Sequence, residues 1–203
     1  MLDSVRPVVK PWVEKLAKPL SGVNPNAVTI AGFIFSLAYA GAMARGSYGW
    51  ALIWFLGSLA DMLDGTVARL SGKVSIFGAV LDATLDRAAD GLMLMAFGWA
   101  GIVPWTLVGL TMLMSLVISY TRAKYEAVVG GGEKLAVGII ERPERLIVVG
   151  LGTLLLALGL NPMIGGFNLV TWLMMGLLVL SMVTVGQRLK EARRRLGNVK
   201  DWV

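Results

Sequence analysis

The sequence predicts an all-α integral membrane protein, with six transmembrane helices preceded by an N-terminal interfacial amphipathic helix, and three observations carry that expectation. Of the 203 residues 56% are hydrophobic and 16% charged, where a soluble domain carries about a quarter charged residues. Mean hydropathy is +0.71. Apolar stretches recur at about 27 to 44, 49 to 70, 76 to 99, 103 to 124, 144 to 161 and 168 to 188, so residues 1 to 203 read as one membrane domain with no room for a soluble one. The third observation is the uneven placement of the 19 Lys and Arg between these stretches.

The elements follow in order. Before the first span Val9, Trp12, Val13, Leu16 and Leu20 recur at helical spacing among Lys10, Lys15 and Lys18, which suits a helix lying in the headgroup region. Charges and prolines interrupt the place where a signal peptide would have its apolar centre, so no cleaved segment is expected. Cations cluster before the first span, at Arg69 and Lys73 after the second, around the connection after the fourth, and after the last. The connections on the other side hold Arg45 alone. The positive-inside rule then places both termini on the cytoplasmic side of the cell (inner) membrane. Trp50, Trp99, Trp105 and Trp172 fall near the opposite ends, where an aromatic belt would sit. The net charge of +6 is thus a topology signal that extends to membrane lipids, and no nucleic-acid partner is expected. The 25 glycines read as close helix packing.

The chain holds no Cys and no His, so its chemistry is left to carboxylates, Lys, Arg and hydroxyls. Yet Asp61, Asp64, Asp82, Asp86 and Asp90 all lie inside the second and third apolar segments. Each charged Asp near a helix centre costs about 2.5 to 3.5 kcal/mol. Ion pairs with Arg69 and Arg87 cannot balance five acids. Asp61, Asp64, Gly65 and Ala68 share one face of the second helix, and Gly78, Asp82 and Asp86 recur every four residues on the third. A short connection makes the two helices antiparallel neighbours, so the stripes can converge. Four carboxylates, Asp61, Asp64, Asp82 and Asp86, form an all-oxygen donor set that favours Mg²⁺, Mn²⁺ or Ca²⁺, and two divalent ions would neutralise it. Asp90 extends the stripe by one turn, with a supporting role as open as ligation.

Residues 61 to 86 read Asp-x2-Asp-Gly-x2-Ala-Arg-x8-Gly-x3-Asp-x3-Asp. This pattern resembles the signature of the CDP-alcohol phosphotransferase family at every defining position, and Asn24, Pro25 and Asn26 with Thr29 resemble the family's opening of the first span. The resemblance implies an enzyme that transfers a phosphatidyl-type group from a CDP-linked lipid to an alcohol and releases CMP, using two Mg²⁺ or Mn²⁺ ions, and it suggests a homodimer. By the same resemblance Asp61, Asp64 and Asp82 ligate metal, while Asp86 is both near the metals and the catalytic base. Thr29, Asp64, Gly65, Ala68, Arg69 and Gly78 bind the CDP-lipid. Without His, a carboxylate is also the ordinary side-chain base left ionised at neutral pH.

A second constellation bears on the acceptor. The stretches SYTRAKYEA and IIERPERL and the end of the last span bring Arg122, Lys124, Arg142, Arg145 and Arg188 towards the same side. Arg forks grip phosphate bidentately, so this cluster suits a phosphorylated alcohol. The two stretches resemble the prokaryotic phosphatidylinositol-phosphate synthase branch of the family and its archaeal archaetidylinositol counterparts. That resemblance implies inositol 1-phosphate as acceptor, its phosphate held by these five cations, with glycerol 3-phosphate as the alternative within the class. A cation transporter with an acidic ion path is the remote alternative. It would spread acids through the membrane depth, whereas here they bunch towards one basic end beside Gly65, Arg69 and Gly78.

Overall fold

A computed structural model describes residues 22–59, 64–130 and 133–197, without the side chains of Asp64, Gly65 and Leu70. The expected interfacial helix and Asp61 lie outside the described residues. The helices are α1 (Pro25–Ala44), α2 (Tyr48–Ser58), α3 (Asp64–Ser71), α4 (Ile76–Trp99), α5 (Trp105–Val128), α6 (Arg142–Ala157) and α7 (Leu169–Leu196), with β1 (Met163–Ile164) and β2 (Phe167–Asn168) between the last two. Local chemistry sets the starts. Asn24 caps α1 by accepting from Asn26 N at 3.0 Å, with Pro25 in the first turn. Ser75 Oγ accepts from Gly78 N at 2.9 Å to open α4, and Asn168 Oδ1 accepts from Thr171 N at 2.8 Å to open α7.

Three helices, α1, α5 and α7, are long and apolar enough to cross a membrane. The other expected spans differ for local reasons. Helix α4 has 24 residues but carries Asp82, Asp86, Arg87 and Asp90, and α6 has 16. The segment from 49 to 70, read as one helix, contains two: α2 closes with Leu59 N donating to Leu56 O and Gly57 O, and α3 starts at Asp64. The all-α expectation also meets a small hairpin in which Ile164 pairs with Phe167. Its two-residue turn, Gly165 and Gly166 at φ +57° and +88°, needs left-handed backbone that glycine adopts without strain.

Helix α1 lies against α2, α3 and α4; α5 bridges α4 and α7; and α6 packs between α2 and α7. The shared core joins Tyr39, Met43, Phe55, Leu94, Phe97, Val149, Val170 and Met174. Ile34, Leu113, Ile147 and Val179 stay exposed on the outer faces, where lipid tails rather than water can cover them. Lipid is as apolar as these side chains, so helix association rests on close fit and internal hydrogen bonds. Glycine supplies the fit at some positions: a Cβ on Gly150 would lie 2.7 Å from the Phe55 ring and one on Gly98 2.9 Å from Trp105. It does not at Gly109, Gly176 and Gly186, where a Cβ would meet open space. The buried hydrogen bond joins α1 to α6, Tyr39 Oη to Thr153 Oγ1 at 2.9 Å. Thr153 gives its own proton to Val149 O at 2.8 Å, which leaves Tyr39 as donor.

Trp50 near the start of α2, Trp99 ending α4, Trp105 opening α5 and Trp172 near the start of α7 are all 43% exposed or more. The rings of Trp99 and Trp105 meet edge to face at 6.2 Å. The ionisable residues gather in α4 from Asp82 to Asp90 and at the start of α6, the end of α5 and the last part of α7. This aromatic and ionic division gives the bundle two chemically distinct ends.

Candidate active site at the ionic end of the bundle

Two cavities flank α4. The first, about 180 Å³, is lined by Pro25, Asn26 and Thr29 from α1, Ala68 and Arg69 from α3, Lys73, Val74 and Ser75 from the connection, and Gly78, Ala79 and Asp82 from α4. It brings together Thr29, Ala68, Arg69 and Gly78, the described members of the expected CDP-lipid site, and adds the expected metal ligand Asp82. Small residues make the room. A Cβ on Gly78 would lie 2.9 Å from Ser75 Oγ and 3.0 Å from Asn26 Oδ1, so any larger residue would push α4 from α1 or fill the space. Buried Thr29 donates from Oγ1 to Pro25 O at 3.2 Å, and Arg69 Nη2 donates to Thr66 Oγ1 at 2.9 Å. Asn26, Ser75 and Lys73 were not expected here. The signal for Lys73 was a cation two residues past the helix that carries Arg69.

The second cavity, about 60 Å³, is lined by Arg87, Ile118, Ser119, Arg122, Glu141, Arg142, Arg145 and Arg188. It gathers Arg122, Arg142, Arg145 and Arg188 from three helices, as the acceptor reading requires. Lys124 is exposed on α5 and is not among the lining residues. Arg87 was weighed only as a counter-ion, although a lone cation inside the third apolar segment marked it.

Acids hold these guanidiniums apart. Arg142 Nη1 lies 2.6 Å from Asp86 Oδ1 and its Nε 3.3 Å from Asp90 Oδ1. Arg145 Nη2 lies 2.6 Å from Asp90 Oδ2, and Arg87 Nη1 3.2 Å from Asp86 Oδ2. The pairing of Asp86 with Arg87, set aside in the sequence as too little to balance five acids, is present, but the shortest contacts come from α6. Arg188, 2% exposed, donates from Nε to Val137 O at 2.8 Å, from Nη1 to Ile118 O at 2.7 Å and from Nη2 to Glu141 Oε1 at 2.8 Å. Arg122 Nε donates to Glu126 Oε1 at 2.9 Å. Glu144 closes the start of α6 by accepting from Glu141 N at 3.0 Å. One group stands out: Arg145 is 4% exposed, and its Nε and Nη1 have no hydrogen-bond partner among the described residues.

Asp82 and Asp86 occupy successive turns of α4. The first is half-buried on the small-residue cavity, and the second is 7% exposed, one residue before Arg87 on the basic cavity. Among the described residues no three carboxylates converge into a metal-binding group. The donor chemistry still fits a hard divalent cation: Asp82 and Asp86 share a face, Asp64 opens the neighbouring α3, and the chain has no Cys or His.

Comparison with known proteins agrees with this architecture. The profile of the CDP-alcohol phosphatidyltransferase family matches residues 23–185. An archaetidylinositol phosphate synthase of Pyrococcus horikoshii is 37% identical across 97% of this chain and 98% of its own. A phosphatidylinositol phosphate synthase of Mycobacteroides abscessus is 39% identical across 90% of this chain and 86% of its own. The crystal structure of Mycobacterium tuberculosis phosphatidylinositol phosphate synthase with CDP-DAG bound superposes with a TM-score of 0.78 at 32% identity, covering 94% of this chain and 98% of that one. The same enzyme in complex with manganese and citrate also gives 0.78, covering 94% and 93%. The chain belongs to the CDP-alcohol phosphatidyltransferase family and is a membrane-bound phosphatidyltransferase.

Proposed function

We propose that this enzyme transfers the phosphatidyl-type group of a CDP-diradylglycerol to inositol 1-phosphate and releases CMP. The carrying observation is Arg145, a residue of the basic cavity's wall with two buried side-chain nitrogens, Nε and Nη1, that have no hydrogen-bond partner among the described residues. A buried donor left unpaired costs about 1–3 kcal/mol, which an anionic oxygen in that cavity would recover. The names of the relatives from Pyrococcus and Mycobacteroides support inositol phosphate as that anion. The complex of the M. tuberculosis enzyme with CDP-DAG supports a CDP-lipid as the other substrate, and the first cavity, with its small residues and cations, is where we place it.

Helix α4 separates the substrates and carries the groups between them. Gly78 and Ala68 leave space for the nucleotide, and Arg69 and Lys73 offer cations to its pyrophosphate. Arg122, Arg142, Arg145 and Arg188 orient the acceptor phosphate, which fixes where the acceptor hydroxyl points. Asp86 accepts the hydroxyl proton as that oxygen bonds to the lipid-linked phosphorus and the phosphorus–oxygen bond to CMP breaks. Asp61, Asp64, Asp82 and Asp86 would hold two divalent ions, Mg²⁺ or Mn²⁺, which supply charge stabilisation for the pyrophosphate and the departing CMP. Manganese in the complex of the M. tuberculosis enzyme supports a divalent metal. The reading includes six spans, with both termini and the site on the cytoplasmic side. It is supported by the gathering of cations at the ionic end and of exposed Trp at the other.

The test is CMP release from a CDP-lipid by the purified full chain with Mg²⁺, given inositol 1-phosphate or glycerol 3-phosphate. Turnover with inositol 1-phosphate is the expected result. Turnover with glycerol 3-phosphate alone would overturn the acceptor assignment.

A further inference from the structure

We infer that Asp90 is a positioning residue of the acceptor site: it aims Arg142 and Arg145 at the acceptor phosphate without touching either substrate. The inference rests on the reading of the basic cavity given above. Asp90 is 7% exposed and stands on α4 one turn beyond Asp86. It does not line the basic cavity; it borders a small void together with Met93, Leu94, Leu146, Val149 and Arg145, which lines both, and so meets the arginines from among apolar side chains.

Its two oxygens divide the work. Oδ2 accepts Arg145 Nη2 at 2.6 Å, and this single grip leaves Nε and Nη1 of that planar group without partners among the described residues, on a side chain that lines the basic cavity. Oδ1 accepts Arg142 Nε at 3.3 Å, which directs the far end of that guanidinium to Asp86, 2.6 Å from Nη1. Arg142 and Arg145 lie three residues apart in the first turn of α6, so they share one face and repel each other. One fixed anion between them on the facing helix sets both directions at once. Asp90 also couples the basic cavity to the turn that carries Asp86, because Arg142 spans the two carboxylates.

Net charge and geometry predict opposite signs. Replacing Asp90 by a neutral residue makes the cavity more positive, and if charge alone governed, an anion would bind more tightly. If Asp90 acts by aiming the arginines, the anion binds less tightly. The experiment is CMP release by the full chain carrying Asp90→Asn or Asp90→Glu, titrating inositol 1-phosphate at saturating CDP-lipid and then the reverse. Asp90→Asn should raise the acceptor KM about tenfold, the scale of one lost charge-assisted hydrogen bond, with the CDP-lipid KM unmoved. Asp90→Glu keeps the charge on a longer arm and should fall between wild type and Asn, a few-fold up; it also reads the inference if the Asn variant fails to assemble. An acceptor KM that is unchanged or lower in Asp90→Asn, or unchanged in Asp90→Glu, overturns the inference. If the wild type turns over with glycerol 3-phosphate alone, the acceptor assignment fails and the inference is read instead from inhibition by inorganic phosphate. Weaker inhibition of Asp90→Asn than of wild type then sustains it, and equal or stronger inhibition ends it.

Discussion

The two cavities flanking α4 are made by opposite means. The first owes its room to what is missing: Gly78, Ala68 and Ala79 keep side chains out, and only Arg69 and Lys73 bring long cations to its wall. The second is walled by arginines, each tied to an acid or a carbonyl so that the group is held as a set. A nucleotide-sized space needs backbones to approach closely, whereas an anion receptor needs like charges held together against their repulsion. The first therefore depends on what fills it, and the second on the partners that hold it.

Asp86 lies between the two, and changing it should have the largest effect. Asp86→Asn removes the proposed base and should lower kcat for CMP release by about 10² to 10⁴, the range for a general base. Turnover close to wild type would take Asp86 out of the chemistry. Gly78→Val addresses the first cavity alone. Its side chain would intrude on Ser75 and Asn26, and overpacking of about 1–3 kcal/mol should raise the CDP-lipid KM about tenfold with the acceptor KM unmoved. An unmoved CDP-lipid KM would place the nucleotide elsewhere. The smallest effect belongs to the core far from both cavities. Tyr39→Phe deletes the donor to Thr153 and should cost about 0.6 kcal/mol of stability in a thermal melt in detergent, with both KM values intact. A change in either KM would show that the cavities are tied to that core.

The contrast explains what could be read in advance. The first cavity follows largely from one local stretch: 68 to 82 run from α3 through a short connection into α4, and 25 to 29 join them because α1 packs against both helices. Fixed spacing along a helix was enough to place Gly78 and Asp82 on one face. The second cavity draws on α4, α5, α6 and α7, and its cations were visible as a group, but not their partners. Nothing in the spacing of Asp86 and Asp90 reveals that Arg142 will span them, because that contact crosses more than fifty residues. Lys124, two residues from Arg122, points elsewhere because positions two apart on a helix do not share a face. The break within 49 to 70 was hidden for another reason: apolar composition marks what lies in lipid and not where a helix stops.

The hold of Arg188 on Val137, together with a neighbouring attachment from Thr184, orders events during synthesis. Thr184 Oγ1 receives Ile139 N at 3.2 Å and Ile140 N at 3.0 Å, and Arg188 holds Val137 O, so the strand of chain leading into α6 is fastened by residues made more than forty positions later. Every lining residue of the first cavity has been made once Asp82 has left the ribosome. The anion receptor stays unfinished until α7 enters the bilayer, and a nascent chain halted before Thr184 would carry the first half of the catalyst without the second.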